Sequence, residues 1–241
     1  AEYVKGCDIV SFDIYPAVHD HADIAGKLWK VPEGVARLRK WGDGKKIVWN
    51  CIEASRIDNE KVRPTAAQIR AEAWVSLVHG STGLIHFVHQ FKPRFDEASL
   101  LHDPELLKAV TEINRQVREL APALNSPTVE AGAVKSVAFV TKRQGDATYL
   151  LACEMGGVAT KAAFTLKGAS VEVLGETVAD EHVASGDGGG HHARPGLDAV
   201  GDDGVLDGVE LVDALHGDHG RPRALDARAH LVEHALQLPV L

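Results

Sequence analysis

The chain has 241 residues, 45% hydrophobic and 25% charged, a composition ordinary for one large or two modest globular domains. No apolar run reaches the roughly 18–20 residues that span a bilayer, and no basic-then-apolar leader opens the chain, so no membrane partner is expected. The net charge of -8 falls in segment 177–241, which holds 12 acidic residues against 4 arginines and no lysine. The neutral remainder lacks the basic stripe that a phosphate backbone requires, which argues against nucleic acid as a partner.

Three similar blocks open the chain, each an apolar run followed by an amphipathic helix. The first run, Cys7 to Pro16, is β-branched and aromatic, as suits a buried strand, and Pro16 ends it. Pro32 to Trp41 then places Val35, Leu38 and Trp41 at the spacing of one helix face. The second run, Lys46 to Glu53, follows the turn Gly42-Asp43-Gly44. Its loop reaches Thr65-Ala66-Ala67-Gln68, which has the form of a capping box. The helix beyond carries Ile69, Ala73, Trp74 and Leu77 on its apolar stripe and stops near Gly80. The third run is Gly83 to His89. Asp103-Pro104-Glu105 then starts a helix with a cap, a first-turn proline and an acid at the positive dipole end, and Leu106, Leu107, Val110, Ile113, Val117 and Leu120 line one side. Such alternation predicts a parallel sheet with right-handed crossovers, in a barrel or an open sheet.

After Pro122 the rhythm changes. Ser136–Lys142, Thr148–Cys153, Lys161–Leu166 and Ser170–Leu174 read as short strands between turn-forming Gly-rich segments. They predict a small antiparallel β domain over 128–176, joined to a first domain over 1–124 by the Asn125-Ser126-Pro127 linker. Beyond Lys167 there is no Lys, Ile, Asn, Phe, Tyr or Trp. A core is hard to build from what remains, so 177–241 is expected to be a disordered or loosely helical, low-complexity tail with the composition of an out-of-frame product of a GC-rich gene. Its Gly186–Gly190 run lacks the flanking strand and Lys-Ser/Thr helix of a phosphate loop, and His191-His192 is read as incidental. Cys7, Cys51 and Cys153 are far apart and odd in number, which suits buried free thiols rather than a disulfide framework or a metal site.

Functional groups in parallel α/β folds collect at the C-terminal ends of strands. That rule selects Asp13 and Tyr15 from the first run, Glu53 from the second, and His86 and His89 from the third. Alternation puts Ser11, Asp13 and Tyr15 on one side of their strand, and Trp49, Cys51 and Glu53 on one side of theirs. Each has a structural alternative. Glu53 could bridge to Arg56 or Lys92, Asp13 could cap the turn before Pro16, and Tyr15 could be a packing aromatic. His86 and His89 have no third ligand at metal-binding spacing, and as single histidines read as polar lining or core groups.

Asp8-Ile9-Val10-Ser11-Phe12-Asp13-Ile14-Tyr15-Pro16 resembles the sixth strand of bacterial (β/α)₈-barrel glycoside hydrolases of the β-galactosidase and cellulase type. Val48-Trp49-Asn50-Cys51-Ile52-Glu53 resembles their seventh strand, and Ala73 to Phe87 their seventh helix and eighth strand. The resemblance covers roughly Glu2 to Glu176. It implies an α/β fold made of the last three units of a TIM barrel, followed by an incomplete β domain. It implies Glu53 as the nucleophile of a retaining, double-displacement reaction, with Tyr15 orienting it, while Asp13, Trp49, His86 and His89 bind the sugar. No cofactor or metal is implied. Retention requires a second carboxyl about 5–5.5 Å from the first. In the family that general acid ends strand four, which has no counterpart here. The chain, which opens at Ala1 and contains Met155 alone among methionines, thus reads as a fragment, inactive alone, with an open sheet edge prone to self-association. A non-catalytic carbohydrate-binding scaffold on a degenerate barrel is the alternative, and a metal-dependent barrel hydrolase a third reading. Relatives of this type are often exported.

Overall fold

The computed structural model describes residues 1–154, 162–167, 172–174, 205–211 and 229–234. The chain divides into two compact units, Ala1–Asn125 and Ser126–Leu241.

The first unit alternates strand and helix: β1 (Ile9–Asp13), α1 (Lys30–Trp41), β2 (Ile47–Glu53), α2 (Ala66–Val78), β3 (Gly83–Phe87) and α3 (Pro104–Leu124). The strands form a parallel sheet in the order β1-β2-β3. Register explains its two faces. Val10 pairs with Val48, Phe12 with Asn50, Asn50 with Leu84, and Ile52 with His86. Val10, Phe12 and Val48 pack on Val35 and Leu38 of α1. Ile52 and Leu84 pack on Ile69 and Ala73 of α2 and on Leu106, Val110 and Ile113 of α3. Full burial of each such side chain stabilises the fold by roughly 1.5–3 kcal/mol.

The other face carries Ile9, Ile47, Trp49 and Ile85, which remain 37–46% exposed. An apolar sheet face without a covering layer is unusual for a soluble domain. Trp49 lies over Gly83, where an added Cβ would come within 2.5 Å of the indole, so the glycine makes room for the ring.

The helix ends follow the local chemistry. Thr65 caps α2 in a reciprocal box with Gln68, and the Asp103 side chain accepts from the Leu106 amide at the start of α3. Two differences from expectation stand out. Trp41 is 46% exposed rather than on the buried face of α1, its ring beside the Arg37 guanidinium. Helix α2 is buried on more than one face: Ala71, Glu72, Val75, Ser76 and Val78 are inside beside Ile69, Ala73 and Trp74 of the expected stripe, while Leu77 is only half-buried, because the helix lies between α1 and α3.

The second unit is built from β4 (Thr128–Val134), β5 (Val137–Gln144), β6 (Ala147–Glu154), β7 (Ala162–Lys167), β8 (Glu172–Leu174), β9 (Val205–Leu211) and β10 (Ala229–His234). One sheet has the order β4-β5-β6-β10-β8 and a second pairs β7 with β9. Strand β4 escapes the sequence pattern because it is an exposed edge of mostly small residues with no buried side chain, so no alternation marks it.

Two expectations are corrected here. The domain is mixed rather than antiparallel, since β10 runs parallel to both β6 and β8. The stretch read as a disordered or loosely helical tail contributes β9 and β10, where Val205, Leu206, Val209, Leu211, Leu231 and Val232 supply strand-forming residues. The Gly186–Gly190 run and His191-His192 lie outside the described residues. The whole is a mixed α/β protein with parallel and antiparallel pairing, and no closed barrel is present among the described residues.

Candidate functional site at the strand ends

Strand β1 ends at Asp13, and the chain turns through Tyr15 and Pro16 into a loop whose Ala17 and Val18 are buried. What holds that loop is Glu53, the last residue of β2. Its carboxylate accepts the Ala17 amide at 2.6 Å and the Val18 amide at 3.0 Å. The following loop adds a second tie, as the Asn59 amide donates to the Val18 carbonyl at 2.8 Å while its own oxygen accepts from Lys61 and Val62. Between the two loops lies a cavity of about 240 Å³ lined by Tyr15, Val18, His19, Asp20, Asp58 and Asn59.

Glu53 has no exposed surface, and Glu72 of α2, equally buried, lies beside it. No protein donor among the described residues reaches the Glu72 oxygens as the atoms stand, so its carboxyl is matched by that of Glu53, with one proton between the two. Burial pushes both carboxyls above their usual range, Glu72 well above it, and the Glu53 charge raises Glu72 further. The Glu72 carboxyl, and after it the amides of Ala17 and Val18, pull Glu53 back toward ionisation. The arrangement is therefore an ionised Glu53 beside a protonated Glu72, since two bare carboxylates cannot share a dry site.

Tyr15 holds its proton well above the ordinary phenol range, chiefly through burial and then through the neighbouring Asp13 carboxylate. Burial and Asp13 likewise raise Cys51. Neither group is an activated nucleophile.

The structure brings some of the sequence-selected residues together and separates others. Asp13 and Tyr15 stand at the C-terminal rim with the end of β2, and His89 is exposed just beyond β3 with its ring edge-on to Phe87. Trp49 lies on the same sheet face but four residues short of the end of β2, roughly 13 Å down the strand at 3.3 Å per residue. His86 does not join the group. It pairs with Ile52, on the face toward the helices, and burial lowers its pKa. A one-residue offset from Phe87 sends it to the opposite face, which suits the core alternative that the sequence left open for it.

Sequence reasoning missed Glu72, whose signal was an acid three residues after Ile69 in an otherwise apolar helix segment. It also missed the rim aromatics. Rings continue across the rim from Tyr15 to Phe87 at 5.4 Å, Phe87 to Phe91 at 6.3 Å and Phe91 to Phe95 at 6.0 Å between centroids. Phe91 and Phe95 are 48% and 60% exposed. Among the described residues no three His, Cys, Asp or Glu side chains converge as a metal site would need.

No family model matches the chain, and no curated protein matches it. Among solved structures it is similar to the ligand-free form of cyclic α-maltosyl-(1→6)-maltose hydrolase from Arthrobacter globiformis, at 11% identity and a TM-score of 0.30. That match covers 67% of this chain and 43% of the other, so the chain spans less than half that structure's length. The likeness is distant and carries no weight for function.

Proposed function

We propose that the chain binds carbohydrate at the C-terminal rim of its parallel sheet, on a scaffold built like the last three units of a glycoside-hydrolase barrel, and that it does so without catalysis at Glu53. The observation that carries this reading is the run of aromatic rings from Tyr15 to Phe95 beside a cavity edged by His19, Asp20, Asp58 and Asn59. Pyranose rings offer apolar C–H faces to aromatic side chains and hydroxyls to carboxylates and amides, and such sites combine aromatic walls with a few directed polar groups. Glu53 is committed elsewhere. A nucleophile must place an oxygen about 3–3.5 Å from the anomeric carbon, whereas both Glu53 oxygens accept loop amides and neither meets solvent.

Calorimetric titration with neutral gluco- and galacto-oligosaccharides tests the reading. Binding is expected, without release of reducing ends, and Tyr15→Ala or Phe91→Ala should weaken it several-fold, consistent with the roughly 0.5–1.5 kcal/mol of an aromatic contact. Absence of binding by the whole panel overturns it.

One observation favours the retaining hydrolase as a second reading. Glu53 ends β2 at the catalytic rim, and its charge is felt at Tyr15, the arrangement expected of a nucleophile and its orienting phenol. Hydrolysis of an aryl β-glycoside that is lost in Glu53→Gln would favour it over binding alone.

A further inference from the structure

A second cavity, of about 200 Å³, opens on the other side of the β2–α2 loop, lined among others by Ser55, Arg56, Arg63, Gln90, Asp96 and His102. Its polar groups are mostly committed to one another. Ser55 donates to the His89 carbonyl at 2.6 Å and accepts from the Ile57 amide. Asp96 pairs with His102 at 2.7 Å and accepts the Ala98 amide. Asp103, also in the wall, caps α3 and pairs with Arg63 at 3.2 Å, while Arg63 reaches Glu105 as well. Both acids of the wall are thus engaged.

Arg56 is different. It is half-buried in the same wall, and its guanidinium has no hydrogen bond or ion pair among the described residues. An uncommitted guanidinium offers a planar fork that matches a carboxylate with two parallel hydrogen bonds. The cavity therefore has room for one small unit and an unmatched positive charge in its wall. It shares a loop with the first cavity, since residues 54–56 line one and 57–59 the other.

We propose that this second cavity is an acidic-sugar subsite, in which Arg56 holds the carboxylate of a uronic acid residue. The proposal rests on the carbohydrate-binding reading above and names the sugar class it serves. Neutral units stack along the aromatic rim, and a uronate in the same chain crosses the loop to Arg56. Gln90, in the same wall, donates its side-chain nitrogen to the Arg94 carbonyl and keeps its oxygen for a sugar hydroxyl.

The test uses the full chain with trigalacturonate and with the same trisaccharide as its methyl ester, which keeps the shape and removes the charge. The acid is expected to bind about tenfold more tightly than the ester, the effect of one charge-assisted hydrogen-bond pair. Arg56→Gln should abolish that difference by bringing the acid down to the ester's affinity for the same variant. Equal binding of acid and ester by the parent protein, or a difference that survives Arg56→Gln, overturns the subsite while ester binding leaves the carbohydrate reading standing. Displacement of trigalacturonate by inorganic sulfate alone marks a bare anion site and overturns the sugar assignment. Failure of the acid, the ester and every neutral oligosaccharide to bind overturns both.

Discussion

Replacing Glu72 by glutamine should stabilise the protein at neutral and alkaline pH. Glu72 is wholly buried, and its carboxyl is matched by the neighbouring Glu53 through one proton. Burial and the adjacent Glu53 charge raise its pKa well above the ordinary 4.5. The folded state then binds more protons than the unfolded state between 4.5 and the raised value. The stability linked to this proton is fully present below 4.5 and is lost as pH rises through the folded value, at up to about 1.4 kcal/mol per pH unit. Glutamine cannot titrate, and its amide can donate to the Glu53 carboxylate. The proton that Glu72 shares with Glu53 is given up by the parent protein as pH rises and is irrelevant to the variant, so the variant's advantage grows from pH 5 to 8 by up to about 1.4 kcal/mol per pH unit. Denaturant unfolding of both proteins from pH 5 to 8 measures it. Burial also lowers His79 and His86, a contribution that rises with pH up to about their ordinary 6.5, but it is common to both proteins and cancels in their difference. The reasoning is refuted if the stability difference stays flat across the range, or if the Glu72→Gln variant is the less stable protein at pH 8.

Glu53→Gln leaves one acceptor oxygen for two loop amides, so hydrogen exchange at Ala17 or Val18 should speed up while exchange in α3 does not change. Equal protection of both amides in the two proteins would contradict the clamp. Gly34→Ala places a methyl group into the Phe12 ring, and the overpacking should cost about 1–3 kcal/mol in denaturant unfolding; an unchanged midpoint would show that the ring yields freely. The uncovered face of Ile9, Ile47, Trp49 and Ile85 predicts concentration-dependent self-association in sedimentation experiments, suppressed by Ile47→Lys. Monomeric behaviour at all concentrations would show that the face needs no cover.

Periodicity and capping made the first unit legible from the amino acids alone. Strand runs rich in Val, Ile and aromatic residues, the Thr65–Gln68 box and the Asp103-Pro104 start are local signals, and each produces its element through interactions within a few residues. The position of Glu53 at a strand end was equally local, because it needs only the place where β2 stops. The chemistry of that residue was not. Whether its carboxylate meets solvent depends on Ala17 and Val18, more than thirty residues earlier, and on Glu72 in the next helix. His86 and Phe87 differ by one position in a strand, and only the register with Ile52 and Glu53 decided which faces the helices. Phe91 and Phe95 escaped notice, and Arg56 entered only as a bridge for Glu53, for the same reason. Loop residues carry no period, and their neighbours are set by how three parallel strand ends converge in space.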